Sequence, residues 1–481
     1  MSSMEPDKSD SIAPLDKSLQ SMRSDDEEQW YWKMRSIYRV PARITAPNRE
    51  AYQSQVVSFG PYHHGEAHLL PMEEHKHRAV RHFLKRSKKP MERFFESLRE
   101  VAQDLEESYD ALDPKWKAGS SEGAARLFLE LMITDGCFML EILRFATNEV
   151  DDYAPNDPIF SYHRTIHIMT DICKDMLMLE NQLPILVLDR LVAVESDGKK
   201  DDEFVSRLLL KVFPLLSRGI TRSGKCLHVL DVLRNSMLME PEKKDEEDDE
   251  SVNRFILKFR SPSKGITWMG KCLHVLDVVR NSMLMEPKKK DEVKREDIRE
   301  IIQLASATEL SEHGIKFKRS KTDGNKDISF AGGALTLPKI WVDESTMSNF
   351  LNFTAFEYLH VGIENEVMSY IYCMDQIINT GQDVALLRAQ GIIGNYLESD
   401  EAVDKMFNSL GKVVTINPSR SLRDVLEKVN KYRNKRWNRW RANLIHTYLR
   451  NPWVALSLIA AVFLFALTII QTVYSVLGYY K

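Results

Sequence analysis

The sequence predicts a mainly α-helical protein, with a multi-helix cytosolic domain, a small β-hairpin and one C-terminal transmembrane helix. Three observations carry this expectation. Apolar residues recur at three- and four-residue spacing over several long stretches, which is the period of an amphipathic helix. Strand-like alternation is confined to the region between Gly314 and Asp343. No charged residue occurs from Asn451 to Tyr480, and a span needs about 20 apolar residues.

Taken in order, residues 1–34 are rich in Ser, Asp, Glu and Lys and contain no apolar run of signal-peptide type. Such a segment buries too little apolar area to offset chain entropy and is expected to be disordered. Residues 35–425 read as one helical domain. The stretch "HRAVRHFLKRSKKPMERFFESLREVAQDLEESY" has helical spacing with a break at Pro90. "ARLFLELMITDGCFMLEILRF" is apolar on most faces and predicts a central buried helix. "YHRTIHIMTDICKDMLMLENQLPILVLDRL" predicts another, broken or kinked at Pro184. Further helices are expected at about 298–313, 344–360, 364–379, 383–397 and 420–447. The segments "GIKFKRS", "DISFAGG" and "ALTLPKIWVD" supply the hairpin around Gly332-Gly333. Charge runs at 195–203, 240–250 and 286–297 read as solvated loops.

The C-terminal region divides into a basic juxtamembrane helix (426–451), a transmembrane helix (452–476) and a short tail (477–481). Eleven residues between Trp453 and Ile470 are Leu, Ile, Val or Phe, together worth roughly -5 kcal/mol of insertion free energy. Trp453 and Tyr474 suit the two interfaces, with Leu456, Phe463 and Leu467 inside the span. Upstream lie Lys431, Arg433, Lys435, Arg436, Arg439 and Arg441, with Trp437 and Trp440 interleaved. This cation bias places the N-terminal side in the cytosol, and the cluster suits anionic lipid heads at about 1 kcal/mol per cation. The expectation is a single-pass, tail-anchored protein of the plasma membrane or endoplasmic reticulum, with the bulk of the chain cytosolic.

Over 481 residues the formal net charge is only -4, which argues against a nucleic-acid partner. The five cysteines, Cys137, Cys173, Cys226, Cys272 and Cys373, form no CxxC pair. Reduced thiols fit that pattern better than a disulfide framework or zinc site. Six of the thirteen histidines fall between His63 and His82. His64 and His68 have ligand-like spacing, but no HExxH motif accompanies them, so no metal is expected. Asp135, Glu141 and the run Glu180-Asn181-Gln182 interrupt apolar stretches. Buried polar groups need partners, and structural pairing with Arg or Tyr is favoured over acid–base work.

The segment "GITRSGKCLHVLDVLRNSMLMEP" (219–241) returns 46 residues later as "GITWMGKCLHVLDVVRNSMLMEP" (265–287). Between 217–246 and 263–292 the copies match at 25 of 30 positions. Surface residues are copied along with apolar ones, which marks a recent duplication rather than a worn structural repeat. Each copy resembles a phosphate loop, but Cys226 and Cys272 stand where the magnesium-binding hydroxyl belongs. The stretch before the first copy also reads as helix where a strand is required. No nucleotide or other cofactor is expected.

The ordered set "VSFGPYHHG", "MEEHK", "LMITDGCFMLE", "MLENQLPILVL", "ATELSEHGIKF", "LPKIWVDEST", "MDQIINTGQDVALLRAQGIIGN" and "RWNRWRANL" resembles a plant family. That family is catalogued as domain of unknown function 247, or uncharacterised protein family 0481. The resemblance runs from about Ile37 to Tyr474 and implies a plant membrane protein with one C-terminal span and no established activity. It is broken between about 217 and 292, where a segment that the family shows once appears twice. The expectation is a non-enzymatic interaction or signalling module on the cytosolic face, with the lipid bilayer and other proteins as partners. The alternative is an orphan hydrolase-like enzyme acting on a membrane-proximal substrate through groups near His63, His64 and Asp135.

Overall fold

Helix formation follows the apolar spacing closely in the first half of the chain. The computed structural model describes residues 35–213, 226–238, 303–444 and 452–479, apart from 118, 120, 162–164, 202, 321–326, 361–362 and 415–417. The chain divides into two compact units. The first takes the chain up to Ser236 and then Ser348–Glu364, and the second takes Met237–Met347 and Asn365–Lys481.

In the first unit, α1 (Pro71–Ser87) starts with proline at its first turn and ends on left-handed Lys88. Pro90 then separates it from α2 (Met91–Arg99), as its missing N–H dictates. The short α3 (Ala102–Glu107) follows. The long α4 (Glu122–Ala146) is capped by Ser121, whose hydroxyl accepts the Ala124 N–H at 3.0 Å. Helices α5 (Thr165–Asp175), α6 (Ile185–Ser196), α7 (Phe204–Val212) and α8 (Val229–Leu238) come next. Most of α9 (Thr346–Leu359) belongs here too. Helix α4 is the axis of the unit, with α1, α2, α6 and α7 packed on it and Phe128, Met132, Phe138 and Leu140 fully buried. Gly136 sets the α4–α6 approach: a Cβ there would stand 2.6 Å from Leu191 Cδ1 and 2.9 Å from Val187 Cγ1.

In the second unit, β1 (Lys316–Arg319) pairs parallel with β3 (Ala334–Leu337), and β2 (Ser329–Ala331) pairs antiparallel with β3. The β2–β3 turn uses Gly332 (φ 57°) and Gly333 (φ 78°), the two positive-φ residues that a tight hairpin turn requires. β4 (Ile340–Val342) pairs parallel with β5 (Ile393–Asn395). Helices α10 (Glu366–Ile377), α11 (Gly381–Ala389) and α12 (Asp400–Gly411) pack together. A reciprocal capping box of Thr380 and Asp383 starts α11. The chain continues with α13 (Arg420–Arg433), α14 (Arg436–Leu444) and α15 (Pro452–Tyr479).

Several expectations change. The hairpin is present, but within a three-stranded sheet and beside a second pair of strands. The helix expected over 383–397 stops at Ala389; Gly391 (φ 69°) turns the chain, and 393–395 becomes β5. The helix expected through Pro184 ends at Asp175, and residues 176–184 form a non-helical link. Of the stretch 298–313, only Ala307–Glu312 is helical among the described residues. The helix expected over 420–447 is two helices that part at Asn434 and Lys435. Residues 1–34, the loops 240–250 and 286–297 and the second duplicated copy lie outside the described residues.

The transmembrane expectation meets a helix whose backbone runs 28 residues and whose sequence is uncharged. Counted over the described residues alone, no helix is long and apolar enough to cross a membrane. The side chains of 452–455, 458, 476 and 478–479 are outside that description.

Candidate functional site

The "VSFGPYHHG" segment is held by polar side chains from three other parts of the first unit. Asp175, at the end of α5, accepts the backbone N–H groups of Gln55, Val56 and Val57 at 2.8–2.9 Å. Burial pushes its carboxyl up to about 6 even against those three donors. Asn181 accepts the Phe59 N–H at 2.7 Å and donates to the carbonyls of Val57 and Asp175. Asp135 on α4 accepts the Gly60 N–H at 2.8 Å. Lys76 on α1 is fully buried, with its Nζ 2.7 Å from Asp135 Oδ1, 2.7 Å from Glu73 Oε1 and 3.1 Å from Ser58 Oγ. Burial drives the Asp135 carboxyl up and Lys76 draws it back down.

The other acids singled out from sequence also have partners. Glu141 is bonded by the Arg86 guanidinium and by the Tyr153 hydroxyl at 2.6 Å. Glu180 accepts from Arg39 at 3.0 Å and from the Val40 N–H at 2.8 Å. Gln182 donates to the carbonyls of Met176 and Met178 and accepts the Leu230 N–H at 3.1 Å. The histidines do not converge. His63 Nδ1 meets Glu66 at 2.7 Å, the His64 ring packs edge-on to Trp116, and His68 Nε2 meets the Ser54 carbonyl at 2.9 Å. Among the described residues no group of three His, Cys, Asp or Glu side chains could hold a metal.

Beside this segment lies a cavity of about 470 Å³ with Arg39, Tyr62, Leu112, Lys115 and Trp116 in its wall. The Arg39 guanidinium lies 4.1 Å from the Tyr62 ring centroid, and Lys115 Nζ lies 5.2 Å from that of Trp116. The wall comes from three separated stretches, around Arg39, Pro61-Tyr62 and 111–116, which only the fold brings together.

The predicted basic cluster falls on α13, on α14 and, for Lys435, on the break between them. Lys431 pairs with Glu427 four residues back, and Lys435 lies 5.2 Å from the Tyr432 ring centroid. Arg433 is half-buried; Arg436, Arg439 and Arg441 are exposed. Helix α14 buries Asn438 and Ala442 and turns Trp437 (71% exposed) and Trp440 (55%) outward, their rings 5.1 Å apart. Large exposed aromatics on one helix face mark a contact surface. On α15, Leu456, Phe463, Leu467 and Tyr474 are all exposed, while the Trp453 side chain lies outside the description.

Comparison with known proteins returns a family model, DUF247, described as a plant protein of unknown function, which matches residues 37–467. The chain is also similar to a UPF0481 protein of Arabidopsis thaliana, at 30% identity over 462 residues, covering 92% of this chain and 86% of that one. A second UPF0481 protein of the same plant is 24% identical over 497 residues, covering 91% and 89%. No solved structure matches.

Proposed function

The chain belongs to the DUF247 family of plant proteins of unknown function, and from that premise we propose that it is a membrane-anchored interaction module rather than an enzyme. Helix α15 enters the bilayer, α14 rests its tryptophans and arginines on the lipid heads, and the remainder of the chain faces the cytosol. The observation that carries this reading is the outward-facing Trp437–Trp440 pair among Arg436, Arg439 and Arg441. Trp belongs at the level of lipid headgroups, and Arg is drawn to anionic lipid. The exposed apolar side chains of α15 support the anchor, because such a face in water would cost free energy in proportion to its area. A binding role is supported by the acids in apolar surroundings. Asp135, Glu141, Asp175 and Glu180 are each occupied by a cation, a hydroxyl or backbone N–H groups.

Two measurements test the reading. Full-length protein should stay with membranes under carbonate extraction, and release into the supernatant would remove the anchor. In vesicles containing phosphatidylserine, lipids brominated near the headgroup should quench tryptophan fluorescence. The quenching should fall clearly in a Trp437→Phe/Trp440→Phe double variant; unchanged quenching would take α14 off the lipid surface.

A further inference from the structure

We propose that the two copied segments compete for one berth, so that the chain has two registers in which either residues 226–238 or residues 272–284 supply α8. This is independent of the membrane reading and makes the duplication a conformational device. The berth fits its occupant closely. The Ile185 N–H donates to the Leu227 carbonyl at 2.8 Å, and Gln182 Oε1 accepts the Leu230 N–H at 3.1 Å. His228 Nε2 lies 3.1 Å from the Ser36 carbonyl, and its ring packs edge-on to Phe356 with 4.7 Å between centroids. The Arg234 guanidinium donates to Glu357 Oε1 at 2.6 and 2.9 Å and to the Glu364 carbonyl at 2.8 Å.

Each of these groups recurs 46 residues later. His274, Leu276 and Arg280 repeat His228, Leu230 and Arg234, and the single difference over 226–238 is Val279 for Leu233. A seated second copy therefore makes the same bonds and loses one buried methylene, worth about fivefold in population. The Glu357 side chain is fully buried and needs a cation beside it, which either copy brings.

Chain length permits the exchange. Seating the first copy leaves 12 residues (214–225) between Phe213 and Cys226, and 64 (239–302) between Leu238 and Gln303. Seating the second leaves 58 (214–271) and 18 (285–302). Closure entropy grows only with the logarithm of link length, so the two arrangements differ by less than about twofold. The shortened link still reaches about 60 Å when extended, against a radius of gyration of about 18 Å for a folded unit of this size. Together these effects put the first copy ahead by about tenfold and leave the second register as a minor state of about 10%. Whatever holds one register better shifts that ratio by its differential affinity.

Two native thiols read the register. Cys226 is 7% exposed, Cys272 is its counterpart, and both follow the same Gly-Lys pair. Full-length protein in detergent micelles is labelled with N-ethylmaleimide at a level low enough that rates scale with reagent. Mass spectrometry follows each thiol in peptides that retain Ser223 or Met269, which tell the copies apart. Cys226 should react slowly and Cys272 fast. Val279→Leu makes the copies identical over the helix and should speed Cys226 about fourfold. Leu233→Ala penalises the first copy about 30-fold or more and should invert the preference, slowing Cys272 at least about threefold. Buried Cys137 and Cys373, one in each unit, report an intact fold by staying unlabelled. A Cys226 rate unchanged by Val279→Leu, or a Cys272 rate unchanged in folded Leu233→Ala, would each overturn the proposal.

Discussion

Lys76 is sealed between Asp135 and Glu73 with no exposed surface, so its charge depends on those two carboxylates instead of on water. Lys76→Met should cost about 3–5 kcal/mol, because Asp135 is left as an uncompensated buried charge. Adding Asp135→Asn should recover part of that loss, a non-additivity that urea unfolding of the four-member cycle would measure. His228 offers a pH test. Its Nε2 lies 3.1 Å from the Ser36 carbonyl, and its Nδ1 accepts the Asp231 N–H at 3.3 Å, so both nitrogens are used by the neutral ring. Burial pushes its pKa down to about 3, with His360 adding to the shift. Between about 3 and 6.5 the unfolded chain therefore binds the proton that the folded chain refuses. The stability His228 contributes is complete above pH 6.5 and is lost as pH falls toward 3. A His228→Gln variant should show a flatter loss of stability between pH 6.5 and 4.5 than the parent, read from urea midpoints.

At the level of elements, α8 provides a direct experiment. Its apolar face, with Val229, Leu230, Val232 and Leu233 fully buried, comes from the first of the two copied segments. Over 226–238 the second copy differs only by Val279 in place of Leu233. Deleting residues 219–264 would splice the second copy into the first one's place. The shortened protein should fold with stability lower by about 1 kcal/mol, the usual cost of removing one buried methylene, as thermal unfolding would show. A collapse of the fold would mean that the flanking sequence, and not the copied residues, builds α8. The long helices were legible beforehand because each carries several turns of apolar spacing; α4 and α9 are examples. β5 was not, since three residues in helix-forming company become a strand only by pairing with β4, far back in the chain. Asp135 and Glu141 were recognisable as needing partners, because they interrupt an apolar helix. The Arg and Tyr expected as partners are present at Glu141, as Arg86 and Tyr153, whereas the partner of Asp135 is a lysine, Lys76, which is buried only once α1 lies on α4. The cavity at Trp116 escaped for the same reason, being assembled by tertiary contact alone.

On the scale of the whole molecule, the first unit is built from two separated stretches of chain. The later stretch, Ser348–Glu364, is bound in tightly. Asn352 accepts the Leu179 N–H and donates to the Ala51 carbonyl, both at 2.8 Å, and Glu357 pairs with Arg234 at 2.6 Å. Asn352 also heads a glycosylation sequon and is 1% exposed. A sugar on that nitrogen and this fold therefore exclude each other. Translation adds its own consequence. A ribosome makes the chain from one end, so it will have finished more than a hundred residues beyond Ser236 before supplying the helix that completes the first unit. Until then Leu179 and Arg234 await their partners, and the apolar faces meant for α9 stand bare to water. The growing protein must spend that interval incomplete, and chaperones that shield greasy nascent surfaces would act there first.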